Sequence, residues 1–161
     1  MTRLTIALIS LSLFASACNN GANSGESTEH KSGPPAPKNR EDSLFREVME
    51  GHDAGMAKTG KLRGNIKETQ RQLDSIGKLP ASRVNAAYKQ SLVDLQTALN
   101  KANTEMNAWM EGFKVDTLSD NKELRIKYLE EEKAKVTVVK ELIFSALNQA
   151  DSVLKPIGNR Q

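Results

Sequence analysis

Residues 88–113 read YKQSLVDLQTALNKANTEMNAWMEGF, and their apolar pattern is the most regular in the chain. The apolar side chains of this stretch recur in alternating steps of four and three, which places them along one face of an α-helix. The stripe consists of Tyr88, Leu92, Leu95, Leu99, Ala102, Met106, Trp109 and Phe113. Such a helix buries its apolar face against other helices, so the stretch predicts an all-α protein.

Two further segments carry similar stripes, and we predict helices over residues 43–77, 81–113 and 121–154. The first stripe contains Phe45, Val48, His52, Gly55, Thr59, Leu62, Ile66, Thr69, Leu73 and Ile76. The third contains Leu129, Val136, Val139, Ile143, Ala146, Ala150 and Val153, with Glu132 as its one charge. Asp42 or Ser43 is the expected N-cap of the first helix, and Asp116 or Ser119 that of the third.

Three helices of similar length joined by short connections fold back on one another. The expected fold is therefore an antiparallel up-down-up bundle over residues 43–156, roughly 50 Å long at 1.5 Å per residue. A heptad-like, coiled-coil type of packing fits the spacing. The alternative is that a wider apolar stripe pairs with a second copy of the chain. Gly51, Gly55, Gly60 and Gly64 weaken the first helix by their low propensity.

Composition narrows the possible functions. The chain of 161 residues supports one domain, and 4% aromatic residues argue against a β-sandwich or barrel. Residues 1–40 contain four of the 23 Lys and Arg and two of the 20 Asp and Glu. The remaining 19 cations and 18 anions are interspersed, so no basic stripe for nucleic acid is expected. One cysteine excludes an internal disulfide and a multi-cysteine zinc site.

The N-terminus has the pattern of a secretory signal peptide over residues 1–17. Arg3 is followed by the uncharged stretch LTIALISLSLF at residues 4–14 and by the small residues ASA at 15–17. Eleven helical residues cover roughly 17 Å, which is short of the ~30 Å hydrocarbon core of a bilayer. We therefore interpret the stretch as a targeting segment and not as a permanent membrane span.

The single cysteine, Cys18, follows those small residues directly. The run Ala15-Ser16-Ala17-Cys18 resembles the lipobox of bacterial lipoproteins, departing from its commonest form at Ala15, where Leu is most frequent. The resemblance implies a cysteine that carries palmitate-type acyl chains and becomes the new N-terminus after cleavage. It also implies anchoring in the cell envelope, most simply at the outer membrane with a periplasmic or surface face. The alternative is an ordinary secreted protein in which Cys18 is a remaining thiol.

Residues 18–42 are expected to form a linker between this cysteine and the bundle. Residues 19–40, NNGANSGESTEHKSGPPAPKNR, contain no large apolar side chain that could offset the entropy of ordering. A flexible chain of this length spans roughly 25 Å. His30 lies within it and is expected to be solvated. Residues 157–161 form a short tail.

One layer of the predicted bundle could hold a metal. Antiparallel register places His52, Met106 and Tyr128 at one level, with Met49 and Met56 beside His52. His52, Met49, Met56 and Met106 together form a possible soft site for Cu(I), which thioethers and imidazole suit. The alternative is a core layer in which the methionines fill gaps and His52 bonds a neighbour such as Tyr128 or Glu132.

No catalytic constellation is visible in the sequence. It lacks a phosphate-binding glycine loop and an HExxH motif, and its two histidines leave little for acid–base chemistry. We therefore predict neither enzymatic activity nor a cofactor. The expected partners are a membrane, through the lipid on Cys18, and a protein or a second copy of the chain, but not nucleic acid.

Three runs carry a family resemblance: VMEGHD at 48–53 with Met56, MNAWMEGF at 106–113, and YLE at 128–130. They resemble a set of uncharacterised bacterial helical lipoproteins that are sometimes labelled "viral A-type inclusion protein". The resemblance covers residues 43–154 and implies a lipid-anchored helical protein. The label implies no viral function, and the resemblance brings no activity or catalytic residue with it.

Overall fold

The computed structural model describes residues 36–155. The predicted signal peptide, Cys18, nearly all of the linker and the tail after residue 155 lie outside the described residues. Between residues 36 and 155 the chain forms α-helices and one 3-10 turn, without a β-strand. The predicted all-α class is confirmed.

The helices are α1 (Arg40–Met56), α2 (Thr59–Gly77), α3 (Ala86–Gly112) and α4 (Lys122–Val153), with a 3-10 turn at Ala81–Arg83. The first helix begins at Arg40, three residues before the predicted start at residue 43. The predicted helices over 43–77 and 81–113 each need a correction, because the first is interrupted after Met56 and the second begins as a separate turn. The helix predicted over 121–154 matches α4 to within one residue at each end.

Asparagine caps the start of α1, α3 and α4. The side chains of Asn39, Asn85 and Asn121 accept hydrogen bonds from the backbone N–H groups of Asp42, Tyr88 and Leu124. The caps predicted at Asp42 or Ser43, and at Asp116 or Ser119, were wrong. An N-cap must lie outside the helix with extended backbone, as all three asparagines do.

The first predicted helix divides at Ala57 and Lys58. The N–H of Lys58 donates to the carbonyl of Gly55, a tighter turn than the α-helical one, and the Thr59 hydroxyl donates to the Met56 carbonyl at 2.9 Å. On either side of the break the packing partner changes: α1 packs mainly on α4, whereas α2 packs mainly on α3. The break therefore allows one segment to contact two different helices.

The core follows the predicted stripes closely in α3 and α4 and less closely in α1. In α3 the stripe from Leu92 to Trp109 is buried, and in α4 Leu147 joins the predicted positions. In α1 the buried positions are Leu44, Val48, Gly51 and Gly55. Phe45 and His52, predicted for the stripe, are half-buried at its edge, because the glycines bring the helix face beside them into the core.

Side-chain pairs show which parts of the helices lie side by side. Arg40 pairs with Glu130, Glu47 with Lys133, and Lys61 with Asp151, so residue numbers rise together along the α1–α2 segment and α4. Between α2 and α3 the order is opposite: Gln72 pairs with Tyr88, and Gln70 with Gln96. The start of α1 therefore lies beside the first part of α4.

Candidate functional site

A row of aromatic rings crosses the bundle near the start of α1. The His52 and Trp109 ring centroids are 5.6 Å apart, and those of Trp109 and Phe113 are 5.0 Å apart in a stacked arrangement. Phe113 also stacks on Tyr128 at 6.1 Å and on Phe45 at 6.4 Å. Stacked rings at these distances stabilise a structure beyond the area they bury. We call these five residues the aromatic row.

His52 lies at one end of the aromatic row and is only partly shielded from solvent. Its side chain is 20% exposed, and Nδ1 lies 2.9 Å from a carboxylate oxygen of Asp53. The expected partners Tyr128 and Glu132 bond elsewhere: the Tyr128 hydroxyl accepts from the N–H of Lys114, and Glu132 accepts from Lys135 at 2.7 Å. The interpretation of His52 as a core histidine bonded to either of them was therefore wrong.

The residues of the predicted soft-metal layer occupy neighbouring positions. Met49, His52 and Met56 share one face of α1, as their spacing within an unbroken helix requires. Met106 is buried in α3, and its Cε atom faces Gly55 of α1. The structure therefore brings Met106 next to this part of α1. Binding of Cu(I) by His52, Met49, Met56 and Met106 stays a prediction.

Carboxylates and imidazoles do not gather into a metal site in the part of the chain that the structure describes. Over residues 36–155 no group of three or more His, Cys, Asp or Glu side chains is placed to hold an ion. Methionine thioethers are not among these groups, so this finding does not bear on the predicted Cu(I) site.

Arg125 is a buried cation that the sequence analysis missed. It is 5% exposed, and its guanidinium donates to the carbonyls of Val115 and Thr117, at 2.5 and 3.0 Å, in the connection between α3 and α4. It also reaches Glu41 of α1 at 3.4 Å and lies over the Tyr128 ring. The spacing offered a signal, because Arg125 precedes Leu129 by four residues and so extends the α4 stripe by one position.

A groove of about 330 Å³ lies between α3 and α4 beside the aromatic row. Its lining consists of Glu105, Trp109, Lys135, Val138, Val139 and Leu142. Val138 is 57% exposed there, whereas the Trp109 ring is almost wholly buried. The indole Nε1 of Trp109 has no hydrogen-bond partner among the described residues. The groove is thus mainly apolar, with one carboxylate and one ammonium group at its edges.

No protein-family model matches the chain, and neither does any curated protein or solved structure. What the protein does is therefore inferred from its own residues.

Two lysines of α4 form ion pairs with carboxylates, Lys135 with Glu132 and Lys133 with Glu47 of α1. The hydrogen bond with Glu132 holds the pKa of Lys135 above its ordinary value, and the bond from Lys133 holds the pKa of Glu47 below its own. The solvated Glu47–Lys133 pair contributes little to stability. Glu132 is 4% exposed and lies on the buried stripe of α4, as the sequence predicted, so Lys135 compensates a charge that is buried. Among residues 36–155 no helix combines the length and the apolar character needed to cross a bilayer.

Proposed function

We propose that the protein is a lipid-anchored component of the bacterial cell envelope whose helical domain serves interaction or scaffolding and not catalysis. One observation carries the proposal: the only cysteine, Cys18, stands directly after the small residues that end an uncharged stretch. Two or three acyl chains on that cysteine suffice for stable anchoring, since each buried methylene contributes about 0.8 kcal/mol. The lipid would hold the chain at the outer membrane, with the bundle in the periplasm or at the cell surface.

The domain at the end of the linker is proposed to be an antiparallel up-down-up bundle. The order of the side-chain pairs supports it, because α1 and α2 follow α4 in one direction whereas α2 and α3 pair in opposite order. In such a bundle the α1–α2 segment, α3 and α4 form three rods of similar length. A helical bundle of this kind, carried by a lipid-anchored chain, suits presentation of a surface to a protein partner or to a second copy.

Replacing Cys18 with Ser tests the anchor. We expect Cys18→Ser to move the protein from the membrane fraction to the soluble fraction of cells, and to abolish incorporation of a labelled fatty acid. Ser24→Ala, a change in the same linker that keeps the cysteine, is the matched control and should stay membrane-bound. Full membrane retention of Cys18→Ser would refute the anchoring proposal, as would wild-type protein without acyl chains.

A second candidate function is binding of Cu(I) or another small ligand in the periplasm. The observation that favours it is that Met49, His52 and Met56 share one face of α1. Met106 of α3 lies beside Gly55 on the same helix. The test is titration of the Cys18→Ser chain with Cu(I) against a competing chelator, which removes the thiol from the measurement. His52→Ala should weaken binding, whereas Met110→Ala, a methionine outside the layer, should not. Absence of competition would exclude the metal.

A further inference from the structure

Large apolar side chains are exposed at one end of the bundle, in the connection between α3 and α4 and the turn that follows. Val115 is 50% exposed, Leu118 42% and Leu124 48%. We call these residues the apolar end. Burying side chains of this size is favourable, so a surface that covered all three would be held by the contact.

The apolar end lies where the linker joins the bundle. Arg125, in the first turn of α4, reaches Glu41 in the first turn of α1, and Arg40 pairs with Glu130. The chain therefore enters α1, at Asn39 and Arg40, beside the apolar end. The opposite end of the bundle contains Leu79, two residues after α2 ends. At that end Ile76 of α2 and Leu154, which follows α4, line a common pocket. The segment that contains Cys18 therefore joins α1 at the apolar end of the bundle and not at the Leu79 end.

The connection that carries Val115 and Leu118 is held in a fixed shape. Arg125 donates hydrogen bonds to the carbonyls of Val115 and Thr117, and the N–H of Asn121 donates to the carbonyl of Leu118 at 3.1 Å. Within residues 36–155, Leu118 is the one non-glycine residue with a positive φ, 58°. A leucine in this conformation costs energy that glycine would avoid, so a turn alone does not explain its presence.

The chemistry of the apolar end fits a lipid surface. Lys114 and Lys122 stand beside Asp116, Asp120 and Glu123, so the connection carries charges of both signs with no excess that would select nucleic acid. The five charges of the connection sum to −1, so the contact with a bilayer would rest on the aliphatic side chains and not on attraction to anionic lipids. An anchored Cys18 would keep the bundle, whose first helix begins 22 residues later at Arg40, near the surface, where a weak apolar contact is effectively intramolecular.

We propose that Val115, Leu118 and Leu124 rest in the surface of the bilayer to which Cys18 anchors the chain, so that the bundle stands on the membrane with its Leu79 end outward. This rests on the proposed anchoring of the protein. The contact would fix the orientation of the rod and leave the groove beside Trp109 accessible to a partner.

Leu79 supplies a matched control for the test, because it is 43% exposed against 42% for Leu118. Acylated full-length Leu118→Cys and Leu79→Cys proteins are labelled with an environment-sensitive fluorophore on the new thiol, since acylation occupies Cys18. Both are reconstituted in vesicles of phosphatidylethanolamine and phosphatidylglycerol containing a lipid-borne quencher. We expect at least about twofold stronger quenching and a blue-shifted emission at position 118 only.

The outcomes separate the two proposals. Acylated protein whose labels at 118 and 79 are equally quenched and equally accessible to water would overturn the membrane contact and leave the anchor intact. Protein whose mass shows no acyl chains would overturn both. A label at position 118 that is already shielded in the soluble Cys18→Ser form would show contact with a second copy, and would overturn the lipid assignment.

Discussion

Gly51 of α1 faces Val136 of α4 so closely that no side chain fits between them. A Cβ atom placed on Gly51 would lie 2.9 Å from Cγ1 of Val136, which is itself fully buried. Because valine is branched at Cβ, its side chain has little freedom to move aside within a helix. The glycine therefore sets the distance between the two helices, which its low helix propensity would not have suggested.

Substituting this glycine should destabilise the protein. We expect Gly51→Ala to lower the free energy of unfolding by about 1–3 kcal/mol, because an added methyl group overpacks the contact with Val136. Urea unfolding followed by circular dichroism measures the effect. The matched control is Gly64→Ala in α2, where nothing lies within 4 Å of the added atom. That change should raise stability by about 0.5–1 kcal/mol through helix propensity alone. Equal effects at the two positions would contradict the close approach.

Trp109 is the centre of the aromatic row, and its loss should be costly. It is 8% exposed and contacts the rings of both His52 and Phe113. We expect Trp109→Ala to cost about 3–5 kcal/mol, the usual range for removal of a large buried ring. Met110→Ala, at the adjacent and exposed position, should change stability by less than about 0.5 kcal/mol. A loss below about 1 kcal/mol for Trp109→Ala would place the ring at the surface.

Leu118 adopts a left-handed backbone conformation that is unfavourable for leucine and that glycine adopts freely. We expect Leu118→Gly to raise the free energy of unfolding by about 0.5–1 kcal/mol, since relief of the left-handed conformation exceeds the added entropy of the unfolded chain. Leu118→Ala keeps the Cβ atom and should bring no such gain. Thermal or urea unfolding of the pair distinguishes them. If alanine stabilised the protein as much as glycine, the backbone conformation would not be the cause.

The free energy of unfolding should depend on pH through the carboxyl group of Glu68. Hydrogen bonds from Arg71 at 2.6 and 2.8 Å, with a further bond from Gln72, lower the pKa of Glu68 from 4.5 to about 2. A carboxyl whose folded pKa is depressed stabilises the protein above its unfolded pKa, and that stabilisation is lost as the pH falls from about 4.5 to about 2. Because the side chain is 37% exposed, the contribution stays below about 1 kcal/mol.

The comparison with Glu68→Gln isolates this group from the other carboxylates. The stability difference between wild type and Glu68→Gln should be constant above about pH 5 and shrink as the pH approaches 2. Urea unfolding at several pH values within that window measures it. A difference that grew on acidification would contradict the assigned direction of the pKa shift.

Helices with long, regular apolar stripes could be predicted well from the sequence. Leu92 through Trp109 in α3 and Leu129 through Ala150 in α4 are buried as their spacing predicted. In the first stripe Val48, Gly55, Leu62 and Thr69 are buried as predicted. Phe45 and His52 are half-buried, and the adjacent Leu44 and Gly51 lie in the core instead. There the sequence offered glycines in place of large side chains, and a periodic pattern of apolar residues cannot reveal a contact made by backbone.

At the candidate site, too, the sequence indicated only some of the residues. The sequence pointed to His52 and the methionines but not to Arg125, because the predicted stripe of the third helix began only at Leu129, four residues later. Its partners are the backbone carbonyls of Val115 and Thr117, which carry no sequence signal of their own. The break after Met56 was also missed, because Ala57 and Lys58 are both favourable helix residues.

The helical class could be predicted from the sequence, because the three- and four-residue spacing of apolar side chains is a property of each segment alone. The packing of the helices was needed to show where the first helix breaks, which of its faces is buried and how Arg125 holds the connection before α4. Each of these depends on the fit between segments distant in the chain, such as Gly51 against Val136. Such a fit is a property of surfaces in contact and is not contained in either segment separately.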